Sequence, residues 1–180
     1  MSISVNVVEM KHETVIICKD GTVNAFLSCL VAAVNKKKAG EDVCLVIDEA
    51  LAALADKKFR WSEEIQPHAE TIKKETESRG PSEPEGLVKM AKDAGVPLYA
   101  NLGWAKILAI AESLPEGLEP LELKDFLESL SKAKHVLCEH TQSYQAFATK
   151  DAKEAFISSP IQQLFLSFFC ILRRFQCWGM

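Results

Sequence analysis

Short apolar runs alternate along the first 140 residues with segments whose apolar residues recur every three or four positions. The runs TVIIC (14–18) and VCLVI (43–47) show no polar alternation, which is typical of strands buried on both faces of a parallel sheet. Between them, apolar residues from Val23 to Val34 follow the helical period, and three lysines and Gly40 close the helix. Two strands joined by one helix predict a βαβ unit.

The same alternation continues to about residue 140. Helical periodicity at 86–94 precedes an expected strand at 96–99, and a helical face follows at 104–111. A further helix at 124–131 leads to a last strand at 135–138. The sequence therefore predicts an α/β fold of the three-layer α/β/α type, with a mainly parallel sheet of about five strands.

The predicted domain organisation has two parts. An α/β domain spans 1–140 and contains a polar, proline-interrupted stretch at 60–85, which we interpret as an insertion or a lid. Residues 141–180 form a predicted helical, apolar appendage. Its centre, 161–172, is shorter than the roughly 20 residues that a membrane-spanning helix needs. Three interpretations stay open: an oligomer-interface helix, an interfacial membrane anchor, or a terminus foreign to the domain.

Composition narrows the classes of function. The net charge of −4 gives no electrostatic reason to expect nucleic acid as a partner. Six scattered cysteines without a CxxC pair indicate reduced thiols and no structural zinc, so no metal site is predicted. The first residues do not read as a secretory signal, which predicts a cytoplasmic protein. No glycine-rich nucleotide signature is present, and no cofactor is predicted.

Ligands of parallel α/β sheets bind beyond the carboxyl ends of the strands. The predicted strand ends present Cys18, Asp48, Asn101 and Cys138. The neighbouring loops complete the candidate ligand-binding edge with Lys19, Gly21, Thr22, Gly103 and Trp104. The loop at 19–22 has two interpretations, an anion site made by backbone N–H groups or a plain turn with Thr22 as helix cap.

Two thiols are candidate catalytic residues. Cys18 lies beside Lys19 and the start of a helix, and both neighbours favour a thiolate. The alternative interpretation is a small hydrophobic residue buried in the core. Cys138 precedes an acidic residue and a histidine, although neighbours along a strand point to opposite faces. Trp104 either covers the candidate edge or packs in the core of its own helix.

Together with the helix rich in small apolar residues after the first strand, three segments between Thr14 and Glu139 resemble the DsrE/DsrF-like family. The segments are VCLVIDEALAALADKK, GLVKMAKDAGVPLYANLGWAKIL and LKDFLESLSKAKHVL, and the most specific block is Met90–Leu108. The resemblance implies a protein of intracellular sulfur metabolism that assembles as a homo-oligomer, a trimer or a hexamer. It also implies a sulfur-relay partner protein.

In the family pattern, a cysteine just after the third strand carries a persulfide and passes sulfur onward. This sequence has Asn101 at that position, and an amide cannot hold a sulfane sulfur. The resemblance therefore implies a protein that binds or relays sulfur species without the usual cysteine. The alternative is a non-catalytic oligomeric binding or scaffold module of the same fold.

Overall fold

Six strands form one sheet in the computed structural model, which describes residues 11–139 and the backbone of Gln145–Phe147. The strands are β1 (Thr14–Cys18), β2 (Val43–Ile47), β3 (Leu98–Asn101), β4 (Glu119–Leu121), β5 (His135–Glu139) and β6 (Gln145–Phe147). They lie in the order β4-β3-β2-β1-β5-β6, and β1 to β5 pair in parallel. The most apolar strands, β1 and β2, occupy the centre of the sheet.

The described helices fill the connections between the strands. They are α1 (Val23–Lys38), α2 (Leu51–Asp56), α3 (Ala69–Glu77), α4 (Pro84–Asp93), α5 (Leu102–Ile107) and α6 (Leu123–Lys132). A short 3-10 helix, Gln66–His68, precedes α3. Glycines with positive φ follow α1 and α4, since Gly40 has φ 82° and Gly95 has φ 76°.

The helices cover the sheet in two layers. One hydrophobic cluster joins α1, α2, α4 and α5 to the sheet, from which it takes Ile16, Cys18, Val43, Leu45, Ile47, Leu98 and Ala100. Helix α6 buries Phe126 and Leu130 outside that cluster. The crossover from β4 to β5 runs back across the sheet, and its right-handed course places α6 on the opposite face. The predicted three-layer α/β/α fold with a mainly parallel sheet is confirmed.

Three elements differ from the sequence-based expectation. Strand β3 begins at Leu98 and ends at Asn101, two residues later than expected, so Asn101 belongs to the strand. The polar stretch at 60–85 contains α3, a longer helix than the turn or two that the sequence allows at 65–77, and a sixth strand, β6, follows residue 140. The apolar centre of the predicted appendage, 161–172, lies outside the described residues. None of the helices within the described range has the length and apolar content that a bilayer crossing requires.

Candidate functional site

The strand register brings the predicted site residues to one edge of the sheet but not to one face. Cys18 lies in register with Ile47 of β2 and with Glu139 of β5. Cys138 is paired with Ile17, the residue before Cys18. Because side chains alternate along a strand, Cys18 and Cys138 point to opposite faces. The two candidate thiols therefore do not form one site.

Asn101 is held by hydrogen bonds at both ends of its side-chain amide. Its Nδ2 donates to Oδ1 of Asp48 over 2.7 Å, and its Oδ1 accepts from the backbone N–H of Gly103 over 2.9 Å. The second contact makes Asn101 the N-cap of α5. With 7% of the residue exposed, the amide is a buried structural group. Both polar atoms of the Asn101 side chain thus already bind groups of the protein.

Asp48 is a buried carboxyl group at the end of β2. Burial raises the pKa of Asp48 to about 6, although the charge of Lys19 and hydrogen bonds from Asn101 and Trp104 act in the opposite direction. Lys19 also pairs with Glu49 over 3.5 Å. Trp104 is half-buried and packs against the main hydrophobic cluster. Its side chain therefore contacts both Asp48 and the core.

Cys18 is sealed inside the protein together with Cys29 of α1. Cys18 is 0% exposed, and its Sγ donates to the carbonyl of Asp20 over 3.6 Å. The Sγ of Cys29 donates to Oε2 of Glu139 over 3.1 Å. A hydrogen bond with Cys18, burial and the nearby Glu139 carboxyl raise the pKa of Cys29 well above its usual range. This buried cluster packs β1 against α1, and its thiols are not accessible to a sulfur donor.

Cys138 is half-buried on the other face of the sheet. Burial raises the pKa of Cys138 to about 11, and the charge of Lys19 offsets this only in part. The group is therefore a neutral thiol at neutral pH. Because the thiolate is the nucleophilic form, the environment of Cys138 opposes the predicted catalytic role.

The start of α1 is less open to an anion than the sequence indicates. The backbone N–H of Thr22 donates to Oδ1 of Asp20 over 2.8 Å, and that of Val23 donates to the carbonyl of Arg60 over 2.9 Å. Thr22 occupies the N-cap position, but its hydroxyl makes no capping hydrogen bond. Within the part of the chain that the structure describes, its Oγ1 is buried without a hydrogen-bond partner. The backbone N–H groups of Thr22 and Val23 thus bind acceptors of the protein itself in place of an anion.

A cleft of about 320 Å³ opens beside that loop, and we call it the edge cleft. The loops after β1 and β2, helix α2 and the segment after it line the cleft with Asp20, Gly21, Glu49, Ala52, Ala53, Lys58, Phe59 and Arg60. Phe59 packs edge-on against Phe26 with ring centroids 6.0 Å apart. That contact and a backbone bridge from Arg60 to Thr22 hold the segment against the start of α1.

Sequence reasoning identified only one of the cleft residues, Gly21, as part of the ligand-binding edge. Lys58, Phe59 and Arg60 were missed because Lys58 and Phe59 follow the end of the helical pattern, and Arg60 begins the polar stretch that we interpret as an insertion. The available signal was an aromatic residue in a charged segment, since the contact of Phe59 with Phe26 ties that segment to α1. Gly21 itself is required by packing, because a Cβ there would lie 2.7 Å from Cβ of Ala53.

The described residues contain no group of three or more His, Cys, Asp or Glu side chains that could hold a metal ion. The chain matches no model of a known protein family, and no curated protein matches it. The resemblance to the DsrE/DsrF-like family therefore rests on the helix after the first strand and on the three quoted segments alone, and it stays a prediction.

Proposed function

We propose that the protein is a non-catalytic binding module that holds a small polar molecule in the edge cleft. The observation that carries this proposal is the position of the cleft, at the carboxyl edge where parallel α/β sheets bind their ligands. Its described lining contains no Cys, Ser, Thr or His, so it presents charge but no thiol, hydroxyl or imidazole nucleophile. Binding therefore fits the cleft better than covalent chemistry.

The lining indicates a ligand that carries both signs of charge. Arg60 and Lys58 supply cations, while Glu49 and Asp20 supply carboxylates. The volume of about 320 Å³ lies at the small end of the range of about 300–1,000 Å³ for ligand sites. A zwitterion of the size of an α-amino acid satisfies both conditions, with its carboxylate at Arg60 and its ammonium group at Glu49.

The sulfur-relay hypothesis needs an accessible thiolate at the same edge. Cys18 is completely buried, and Cys138 has a pKa of about 11. Neither thiol lines the edge cleft. Contacts of the described residues therefore support the binding module, which was the alternative drawn from the sequence, over sulfur transfer.

The test is a titration of the folded protein with alanine, propionate and ethylamine, followed through backbone amide NMR shifts. We expect saturable shifts at Gly21 and Phe59 with alanine and weaker shifts with the two singly charged probes. Arg60→Ala should abolish them, because it removes the guanidinium and leaves the backbone bond to Val23 intact. Arg79→Ala is the matched control, since Arg79 is also exposed but lies outside the edge cleft.

Two results would overturn the proposal. One is the absence of shifts with all three probes, and the other is a response that Arg60→Ala leaves unchanged. A persulfide on Cys18 or Cys138 after polysulfide treatment of the folded protein, detected by mass spectrometry, would instead support sulfur relay.

A further inference from the structure

A second and larger concavity lies on the outer side of α1, away from the carboxyl edge of the sheet. It has a volume of about 610 Å³ and is bordered by α1, by α4 and by the chain that joins α3 to α4. We call it the α1–α4 groove. It shares no lining residue with the edge cleft, so it is an independent site.

The floor of the α1–α4 groove is apolar. Leu27, Val31, Ala32 and Met90 line it, and each is only half-buried although it packs against the main hydrophobic cluster. These side chains therefore have one side in the core and one side toward the groove. Part of the apolar face of α1 therefore lies outside the core and lines the groove. Exposed apolar surface of this kind is a feature of sites that bind apolar groups.

The rim of the groove carries positive charge only. Lys38 and Arg79 line it, and none of its described lining residues is acidic. This is a local excess of cations in a chain whose net charge is −4. Arg79 contacts Glu75 over 3.7 Å, but both side chains are highly exposed, and such pairs contribute little. Its guanidinium can therefore turn to another anion at small cost.

We propose that the α1–α4 groove binds an aliphatic carboxylate as a single molecule, with its chain on the apolar floor and its carboxylate at Lys38 and Arg79. From Leu27 to Lys38 the helix rises about 16 Å, which suits an extended medium-length chain. The volume is that of a small-molecule site. The proposal is independent of the ligand assigned to the edge cleft.

The charge part of the proposal is tested with decanoate and decanol, which share a chain length and differ in charge. Calorimetric titration of the full chain below the micelle concentration should show decanoate binding about 5–30-fold more tightly than decanol. The double variant Lys38→Glu/Arg79→Glu should remove that difference while decanol binds as before. The matched control, Lys124→Glu/Lys134→Glu, reverses two exposed cations that line neither the groove nor the edge cleft and should keep the difference.

The location is tested by filling the floor. Ala32→Trp should weaken both ligands by about tenfold or more, because the indole occupies the space of the chain. Met90→Gln, which changes polarity and leaves the size similar, gives a second variant if Ala32→Trp does not fold. Circular dichroism checks that each variant is folded.

Three outcomes would overturn the proposal: no saturable decanoate binding, equal affinity for the two probes, or full binding by folded floor variants. A change of oligomeric state in Ala32→Trp without decanoate binding would also overturn it and would identify the groove as an interface between copies of the chain.

Discussion

The substitution Asn101→Asp tests the contact between Asn101 and Asp48 with almost no change in shape. The new carboxylate can still accept from the backbone N–H of Gly103, so the cap of α5 is retained. The substitution changes the contact with Asp48. The Nδ2 of Asn101 donates to Oδ1 of Asp48 over 2.7 Å, and a carboxylate oxygen in its place is a second acceptor. The two carboxyl groups must then share a proton or repel each other.

The expected cost depends on pH. Loss of a hydrogen bond to a charged group costs about 1.5–3 kcal/mol, and two charges about 4 Å apart repel by about 4 kcal/mol at an effective dielectric constant near 20. The two carboxyl groups of the folded variant share a raised pKa. Below that pKa the pair takes up a proton, which avoids most of the repulsion and of the lost hydrogen bond. Because that pKa exceeds the unfolded value of about 4, stability is present at low pH and is lost as pH rises. We expect a loss of about 1 kcal/mol at pH 5 and about 3–5 kcal/mol at pH 8.

Urea unfolding of the wild type and the variant at both pH values measures this difference. The control is Asn24→Asp, because the Oδ1 of Asn24 accepts from the backbone N–H of Ser62 over 3.0 Å and the substitution keeps that acceptor. Asn24 lies in the first turn of α1, where a negative charge is tolerated, so its effect should stay within about 1 kcal/mol at either pH. Equal destabilisation by Asn101→Asp at pH 5 and pH 8 would refute the reasoning.

Three further predictions use the same protein. The folded pKa of Asp48, about 6, exceeds its unfolded value of about 4, so this group makes the wild type lose about 2 kcal/mol of stability as pH rises from 4 to 7. The variant Asp48→Asn should lack that loss in unfolding titrations, and parallel curves for the two proteins would contradict this. Gly21→Ala should cost about 1–3 kcal/mol through its contact with Ala53, and adding Ala53→Gly should recover part of the cost in thermal unfolding. Light scattering should give an oligomer, as the resemblance implies, and a monomeric mass would count against it.

The central elements of the fold could be predicted because their sequence signals are local. The runs at 14–18 and 43–47 match β1 and β2 residue for residue, and the periodic segment from Val23 matches α1. Strand β3 was displaced by two residues because the expected strand at 96–99 contains Pro97, which has no backbone N–H to donate to a strand ladder. Gly95 was correctly placed after α4, and the carbonyl of Pro97 accepts from the backbone N–H of Leu45 over 3.0 Å, although β3 itself begins at Leu98.

The candidate site was harder to predict because its contacts join residues far apart in the chain. The edge itself follows from the parallel order of the strands, and Asp48 and Asn101 do meet there, 53 residues apart. Nothing in the local sequence shows that the amide of Asn101 is used by Asp48 and Gly103 rather than by a ligand. The same holds for Cys29, whose contact with Glu139 spans 110 residues. Long-range hydrogen bonds decide which polar groups are available, and a one-dimensional pattern does not contain them.

The substitution Asn101→Cys separates the family resemblance from the contacts seen in the structure. The resemblance places a sulfur-carrying cysteine at this position, and the start of the next helix would then lower its pKa and favour the thiolate. The structure opposes that expectation, because the position is 7% exposed and adjoins the Asp48 carboxyl, whose charge at neutral pH disfavours a second anion. We therefore expect the introduced thiol to react more slowly than an unperturbed thiol of pKa about 8.5.

Alkylation rates and persulfide formation with a polysulfide donor, both read by mass spectrometry at residue 101, measure the outcome. Asn35→Cys, at an exposed position on α1, supplies the reference rate in the same fold. The variant at 101 should also unfold more easily, by about 2–4 kcal/mol, since both the partner of Asp48 and the cap of α5 are lost. Rapid persulfide formation at residue 101 in a folded protein would show that this network rearranges around sulfur, and the sulfur-relay hypothesis would then take precedence over simple binding.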